Sequence, residues 1–417
     1  MHLVLTPSWY PDRRHPHNGS FFRDQAGMLR RAGMRVGVIA LTPASAWRAR
    51  RGLSVDVEDG VVVVRGDVPL VPKGIAPGDR ASARAAAGRA ADLYDRAVRE
   101  LGGADPVPDV VHAHSAFTGI HVGLRAAGRW GAGLAITEHR PSSTDRSRLG
   151  WRYRALRRDL RRAGARAAVS TPFARALEDY WGVGSWDVIA LPVNDAVFDV
   201  PRPEGRRRAG GGGDSGPLTV CHVSHLGRNK RPEETVRAVA RLARADRAAG
   251  REPTRLLLVG GEPGEIEPLR ALARAEGIAQ CSTFTGRVPH EEVAGFMARS
   301  DVFVLASEVE AGGTVLAEAQ ALGLACVATP TWAGRFMVEP ECGVVLPAAA
   351  QAGGEVLVSA LTRALTRVTA AVRDGGYRPE AIRARARERF GEEAFVAASR
   401  RLYDEALRAR TQSARRA

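Results

Sequence analysis

The chain is short of cysteine, of aromatic residues and of long apolar runs. Its 417 residues hold four cysteines, Cys221, Cys281, Cys326 and Cys342. They are scattered and form no Cys-x-x-Cys pair, which argues against a disulfide scaffold or a thiolate zinc site and points to a reducing, cytoplasmic setting. No apolar run approaches the roughly 18 to 20 residues that a membrane-spanning helix needs. The opening MHLVLTPSWYP is cut by Pro7 before it reaches the length of a signal-peptide core, and it reads as a first strand. Aromatic residues make up 6% of the chain, none interleaved with a basic cluster, and no zinc-finger or RRM pattern appears; nucleic acid is not an expected partner. An Asp-x-Asp behind an apolar strand is also lacking. Asp56, Glu58 and Asp59 in SVDVEDGVVVV look like a hairpin turn, so no metal site is expected. Cys221, His222 and His225 do not make one either, because a strand alternates faces and no fourth ligand is spaced for zinc.

What is abundant is positive charge. Sixty-one lysines and arginines against 46 acidic residues give a net charge of +15. Most of it is arginine strung along helical stretches, which solvated helix faces explain. One stretch stands out, near 149–167. Leu149, Tyr153, Leu156, Leu160, Ala163 and Ala167 recur at intervals of three and four, and the arginines lie elsewhere. A packed helix with a wet basic face is the plain reading; peripheral contact with anionic membrane lipid or a lipid-linked acceptor is the alternative. Alanine, arginine and glycine usage fits a GC-rich bacterial gene.

With 45% hydrophobic residues the chain can bury proper cores, and its length predicts two domains of roughly 200 residues each. Short β-rich runs alternate with helical ones throughout: HLVLT, VGVIAL, VVVVRG, DVVHAH, LAIT, AAVS and DVIAL, then LTVCHV, RLLLVG, TFTG, DVFVLAS, ACVAT and GVVLP. That alternation predicts α/β domains with parallel sheets. The glycine-rich RPEGRRRAGGGGDSGP cannot build a core and reads as a linker. The expected division is 1–201, a linker at 202–217, a second domain over 218–376, and closing helices over 377–417, whose last residues should fray.

The most informative segment is ASEVEAGGTVLAEAQALGLACVAT, residues 306–329. Glu310 and Glu318 stand eight apart, with Gly312-Gly313-Thr314 between them. An apolar run leads into Glu310, so it sits where a strand ends and a helix begins, the ligand edge of an open α/β sheet. Unpaired amides at such a helix start suit a phosphate, and the two acids could take sugar hydroxyls. The plainer reading is a strand–turn–helix with two solvated acids.

Glu-x7-Glu followed by Ala-x-Ala-Leu-Gly resembles the hallmark of retaining nucleotide-sugar glycosyltransferases of the GT-B fold, specifically glycosyltransferase family 4. Other segments match in order: PSWYPDRRHPHNGSFFRDQAGMLRRAG, DVVHAHSAFTG, LAITEHR, HLGRNKRPEETVRAVARL, LLLVGGEPGEIEPLRALARAEG, TFTGRVPHEEVAGFMARSDVFVLAS and RERFGEEAFVAASRRLYDEAL. The resemblance covers nearly the whole chain. It implies two Rossmann-like βαβ domains facing each other across a cleft, the first on the acceptor side and the second holding the nucleotide sugar, with a closing helix crossing back to the first domain. It also implies sugar transfer from a nucleoside diphosphate sugar to an acceptor hydroxyl with retention of configuration, no metal, and no cofactor beyond that co-substrate.

By that resemblance Glu310 holds the donor sugar's hydroxyls, Glu318 the ribose, and Lys230 the phosphates. Where the family usually has an arginine five or six residues before the lysine, this chain has His225, so Arg228 is taken as the second phosphate cation. Amides at Gly312, Gly313 and Thr314 would hold phosphate or sugar; Ala311 stands where glycine is frequent. Gly286 and Arg287 are weaker nucleotide contacts, and GGEP at 260–263 fits a tight turn equally well. In the first domain Gly19 would let backbone approach the diphosphate or acceptor, with Ser20 as N-cap. His139 matches the family's Thr-x-His position facing the reacting sugar, while Glu138 points the other way and is structural. His112 and His114 are assigned no chemistry. Glu310, His139 and Lys230 are the catalytic candidates. The acceptor (glycan, lipid-linked or small natural product) and the donor's base and sugar stay open. A nucleotide-sugar epimerase and a catalytically silent binding partner are the competing readings; the presence of both glutamates, Lys230 and His139 argues against the latter, while His225 and the Leu191-Pro192-Val193-Asn194 variant of the usual Pro-Asn-rich loop keep it open.

Overall fold

The computed structural model describes residues 1–416 apart from 13–17, 50–51, 71–77, 102–104, 146, 148–149, 151 and 203–215. Two units form: Met1–Ala190 with Phe395–Ala417, and Leu191–Ala394. The division falls before Leu191, earlier than the boundary expected at 201. The expected linker at 202–217 lies almost wholly outside the described residues.

The first unit is built on eight strands: β1 (His2–Pro7), β2 (Arg35–Ser45), β3 (Ser54–Glu58), β4 (Val61–Leu70), β5 (Val110–His114), β6 (Gly133–Glu138), β7 (Ala165–Ala168) and β8 (Asp187–Val188). They lie in the order β3-β4-β2-β1-β5-β6-β7-β8. All neighbours are parallel except β3 and β4, an antiparallel hairpin turning at Asp59-Gly60, both in positive φ. Every residue of β1, β5 and β6 is buried, as in the middle of a parallel sheet covered on both faces. The helices between strands are α1 (Ser20–Arg31), α2 (Gly78–Glu100), α3 (Gly119–Trp130), α4 (Arg152–Leu160) and α5 (Thr171–Trp181).

Two expectations fail here. The helix read near 149–167 stops at Leu160, and Ala165–Ala168 is a strand paired with β6. Ala163 and Ala167 fit a helical stripe, but pairing with a buried neighbour outweighs the weak propensity of a short alanine run. Ser20 does not cap α1. Gly19 occupies that position at φ +78, and no side chain caps the helix.

The second unit has β9 (Thr219–Val223), β10 (Arg255–Val259), β11 (Ser282–Phe284), β12 (Val302–Leu305), β13 (Ala325–Ala328) and β14 (Gly343–Val345), ordered β11-β10-β9-β12-β13-β14 and all parallel. Counted within the unit this is 3-2-1-4-5-6, the dinucleotide-fold order, whose direction reverses between β9 and β12. Its helices are α6 (Asp195–Phe198), α7 (Pro232–Ala248), α8 (Pro263–Ala275), α9 (His290–Met297), α10 (Thr314–Ala321), α11 (Trp332–Met337), α12 (Gly354–Arg373) and α13 (Pro379–Phe390). Leu357, Leu361, Leu365 and Val368 of α12 recur at helical spacing and are fully buried in this unit's core, each contributing about 1.5–3 kcal/mol.

The last helix, α14 (Glu392–Arg416), runs to the end of the described chain. Its Phe395, Leu402, Tyr403 and Ala406 join the first unit's core with Leu3, Val38 and Ala135. Gly133 and Gly164 allow this: a Cβ on either would lie 3.1–3.2 Å or less from atoms of Ala406 or Ala409. Among the described residues no helix is long and apolar enough to cross a membrane.

Candidate functional site

In the second unit the sheet reverses between β9 and β12, and the loops that follow these two strands carry Lys230 and Glu310. Lys230 ends a single 3-10 turn, Arg228–Lys230, before α7. Glu310 lies in the loop that enters α10. Lys230 Nζ donates to Glu310 Oε2 at 2.6 Å, a charge-assisted bond between side chains only 16% and 22% exposed. One of three ammonium N–H groups is used there; two remain for another acceptor.

The backbone holds these loops in register. Glu308 N–H donates to Asn229 O at 2.8 Å. Gln351 Nε2 donates to Glu308 O, and Arg231 Nη2 to Gln351 O at 2.8 Å. Thr329 Oγ1 ties Ser307 O at 2.7 Å. Gly313 caps α10 at φ +65, with Leu316 N–H bonded to its carbonyl; a Cβ there would meet Ala333 Cβ at 2.8 Å. Gly312 and Thr314 flank it, so α10 begins a few residues after Glu310. Glu318, one turn further along α10, is half-buried.

The remaining second-unit candidates divide. Arg228 is exposed and makes no ion pair among the described residues. Gly286, at φ +75, accepts a hydrogen bond from Gly260 N–H at 3.0 Å. Gly260 must be glycine, since a Cβ would sit 2.0 Å from Ser224 O, in the loop after β9. Arg287 spends its charge on Glu262 at 2.9 Å, an exposed pair, and Glu262 begins α8 with a capping box to Glu265. His222 is buried between Ser224 and Thr235, and burial pushes its pKa down to about 3. His225 is exposed and its Nδ1 accepts from Gly227 N–H at 3.0 Å.

In the first unit the sheet reverses between β1 and β5. Ser8 Oγ, just after β1, donates to His114 O at 3.0 Å. Gly19 sits against Trp9: a Cβ would lie 2.7 Å from Trp9 Cδ1. His139, after β6, pairs through Nε2 with His114 Nδ1 at 3.0 Å and packs on Phe21 and Phe22. His112 bridges Tyr403 Oη at 3.0 Å and Thr137 Oγ1 at 2.8 Å. Burial holds all three imidazoles neutral: His112 and His139 are pushed down to about 3, and His114 well below its ordinary value. His139 Nδ1 and His114 Nε2 have no partner among the described residues. A neutral pair carries one proton per ring, so the unused nitrogens are one donor and one acceptor whichever tautomers form.

Glu138 is the residue whose part the sequence leaves vague. It is fully buried. Oε2 accepts from Ala116 N–H at 2.6 Å, and Oε1 from the His139 and Arg140 amides, each at 2.8 Å. It fixes the backbone that presents His139. Asn229 and Gln351 carry no sequence signal either, because one acts through its carbonyl and the other lies in a short alanine-rich turn.

The chain matches the family described as Glycosyltransferase Family 4 over residues 19–196 and that described as Glycosyl transferases group 1 over 206–362. It is 31% identical over 287 residues to D-inositol 3-phosphate glycosyltransferase of Acidothermus cellulolyticus, covering 64% of this chain and 60% of the relative. It is 32% identical over 216 residues to GDP-mannose-dependent alpha-(1-6)-phosphatidylinositol monomannoside mannosyltransferase of Mycolicibacterium smegmatis, covering 48% and 53%. The chain thus spans about three fifths or less of the curated relatives it matches. Its fold is that of sucrose-phosphate synthase from Thermosynechococcus elongatus, with TM-score 0.69, 19% identity and 98% and 100% of the two chains covered. It is also that of Anabaena HepE in complex with UDP, with TM-score 0.63, 17% identity and 95% and 97% covered. With the two family profiles end to end along the chain, and the GT-B fold of two Rossmann-like units beneath them, this protein belongs to glycosyltransferase family 4.

Proposed function

We propose that the protein is a glycosyltransferase that moves a sugar from a nucleoside diphosphate sugar to an acceptor hydroxyl with retention of configuration and without a metal. The observation that carries this reading is the Lys230–Glu310 contact of 2.6 Å at the sheet reversal of the second unit, in the loop that leads into α10. A cation for phosphate and an acid for hydroxyls are held together there, as a sugar diphosphate requires.

In the proposed reaction the acceptor oxygen bonds to the anomeric carbon as the bond from that carbon to the phosphate oxygen breaks. The acceptor's proton passes to the departing oxygen. Charge gathering on the diphosphate is met by Lys230, Arg228 and the amides of Gly312, Gly313 and Thr314. Glu310 takes donor-sugar hydroxyls and Glu318 those of the ribose. Gly286 adjoins the base, and Arg287 serves it only by leaving Glu262. In the first unit the neutral His139 is assigned to a sugar hydroxyl, and Gly19 to close backbone approach. HepE, solved with UDP and with UDP-glucose, makes UDP the first nucleotide to try. The relatives' names point to phosphorylated inositols as first acceptors; the proposed setting is cytoplasmic, peripheral to the inner face of the membrane.

The test is calorimetric binding of UDP, GDP, ADP and dTDP with EDTA present, followed by turnover with the matching sugar nucleotide. One nucleotide should bind selectively and more weakly to Glu318→Ala. Lys230→Ala should lose 10²-fold or more in kcat, about 3 kcal/mol of transition-state stabilisation. Absence of binding by all four nucleotides, or full turnover in Lys230→Ala, would overturn the reading.

A further inference from the structure

An open cavity of about 620 Å³ lies in the first unit between α4 and the C-terminal end of α5. It involves none of the residues assigned above. Its walls include Tyr153, Arg154, Arg158 and Arg161 on one side and Asp179 and Trp181 on the other. Arg157 also lines it but is already occupied. It donates to Trp181 O at 2.6 Å and to Gly182 O at 3.2 Å, closing the orphan carbonyls of α5, and Tyr153 Oη does the same for Tyr180 O at 2.9 Å.

Arg154, Arg158 and Arg161 have no such duty. All three are exposed, and none of their guanidiniums makes an ion pair or hydrogen bond among the described residues. Spaced four and then three apart, they share one face, where like charges repel. Asp179 is the one carboxylate in the wall. Several other arginines of this unit are matched: Arg80 with Asp159, Arg129 with Asp92 and Asp95, Arg152 with Asp79. Behind the unmatched three, the Tyr153 ring stacks on Trp181 at 4.9 Å and 8°. The buried Trp181 Nε1–H has no acceptor among the described residues. Fold stability does not call for three converging guanidiniums on an aromatic wall, whereas their planar forks match the oxygens of a phosphate.

We propose that this cavity is a second ligand site, which binds a phosphate ester through Arg154, Arg158 and Arg161. The phosphate comes either from a soluble molecule or from a lipid headgroup. The site does not depend on the proposed sugar transfer, since it lies in other residues and needs no donor nucleotide.

The test uses the full chain in a Lys230→Ala, Arg228→Ala background, which removes the second unit's phosphate cations. Inorganic pyrophosphate binding is measured by calorimetry. Co-sedimentation is measured with phosphatidylcholine vesicles, with and without phosphatidic acid. Arg154→Ala/Arg158→Ala/Arg161→Ala should weaken binding at least 10-fold at unchanged melting temperature, and the triple lysine variant should retain more of it than the triple alanine. Pyrophosphate binding that the alanine variant loses assigns a soluble ligand. Vesicle binding that requires phosphatidic acid and is lost in the same variant, without pyrophosphate binding, assigns a lipid headgroup. If the background protein binds neither probe, or the alanine variant binds both as before, the proposal is wrong.

Discussion

Acid should destabilise the first unit well before its carboxylates titrate. His112, His114 and His139 are buried and neutral in the fold but titrate near 6.5 in the unfolded chain. Their folded pKa values lie below the unfolded one, so the neutral fold is fully stable above 6.5. Stability is then lost as pH falls through 6.5 towards the folded values, near 3 for His112 and His139 and well below 6.5 for His114. Between pH 7.5 and 5.5 each ring costs about 1.4 kcal/mol, roughly 4 kcal/mol for the three, against a typical total of about 5–15 kcal/mol. His2, lowered mainly by its own burial, adds to the loss. The assay is urea unfolding at several pH values in that window, following the transition that responds to substitution in this unit. His112→Gln keeps a donor and an acceptor for Tyr403 and Thr137 but cannot protonate, so its pH slope should be smaller by one histidine's share. A flat stability between pH 7.5 and 5.5, or a slope that His112→Gln leaves unchanged, would refute the reasoning.

Three further substitutions separate strain, acceptor geometry and buried charge. Gly19→Ala should cost about 1–3 kcal/mol in thermal melts, more than Gly33→Ala, because both have positive φ but only Gly19 has Trp9 within 2.7 Å of the new Cβ. Glu138→Gln turns one acceptor into an NH2 facing amide donors, and should cost about 1–3 kcal/mol while lowering turnover through displacement of His139; unchanged stability and kcat would remove it as a positioning residue. Asp246, fully buried, accepts from Thr254 N at 3.0 Å, Thr254 Oγ1 at 2.6 Å, Arg251 at 3.1 Å and Arg373 at 3.3 Å. Asp246→Ala should destabilise the second unit by roughly 3 kcal/mol on urea unfolding.

The parallel sheets were legible because strands buried on both faces leave unbroken apolar runs, as in VVVVRG and DVFVLAS. The edge position of Glu310 was legible because such a run ends just before it. That Lys230 would touch it was not, since the two lie 80 residues apart and meet only through the reversal of strand order. Ser20 was misread as a cap because hydroxyl residues favour that position; close approach of the chain to Trp9 requires glycine there instead. The strand at Ala165–Ala168 was read only in part, as AAVS, and overlapped the helical stripe drawn through Ala163 and Ala167, because alanine suits a helix as well as a sheet. Glu138 was legible as a structural residue pointing away from His139; what the sequence could not show is that pointing inward lets it hold the amides of the loop.

The first unit's core is completed by Phe395, Leu402, Tyr403 and Ala406. These residues leave the ribosome only after all of Leu191–Ala394 has been made. During synthesis, therefore, the later unit has its whole sequence available first, while the earlier one waits with His112 lacking the Tyr403 hydroxyl that it bonds at 3.0 Å. A nascent chain stalled before residue 395 should hold a protease-resistant second unit joined to an unfinished, chaperone-dependent first one.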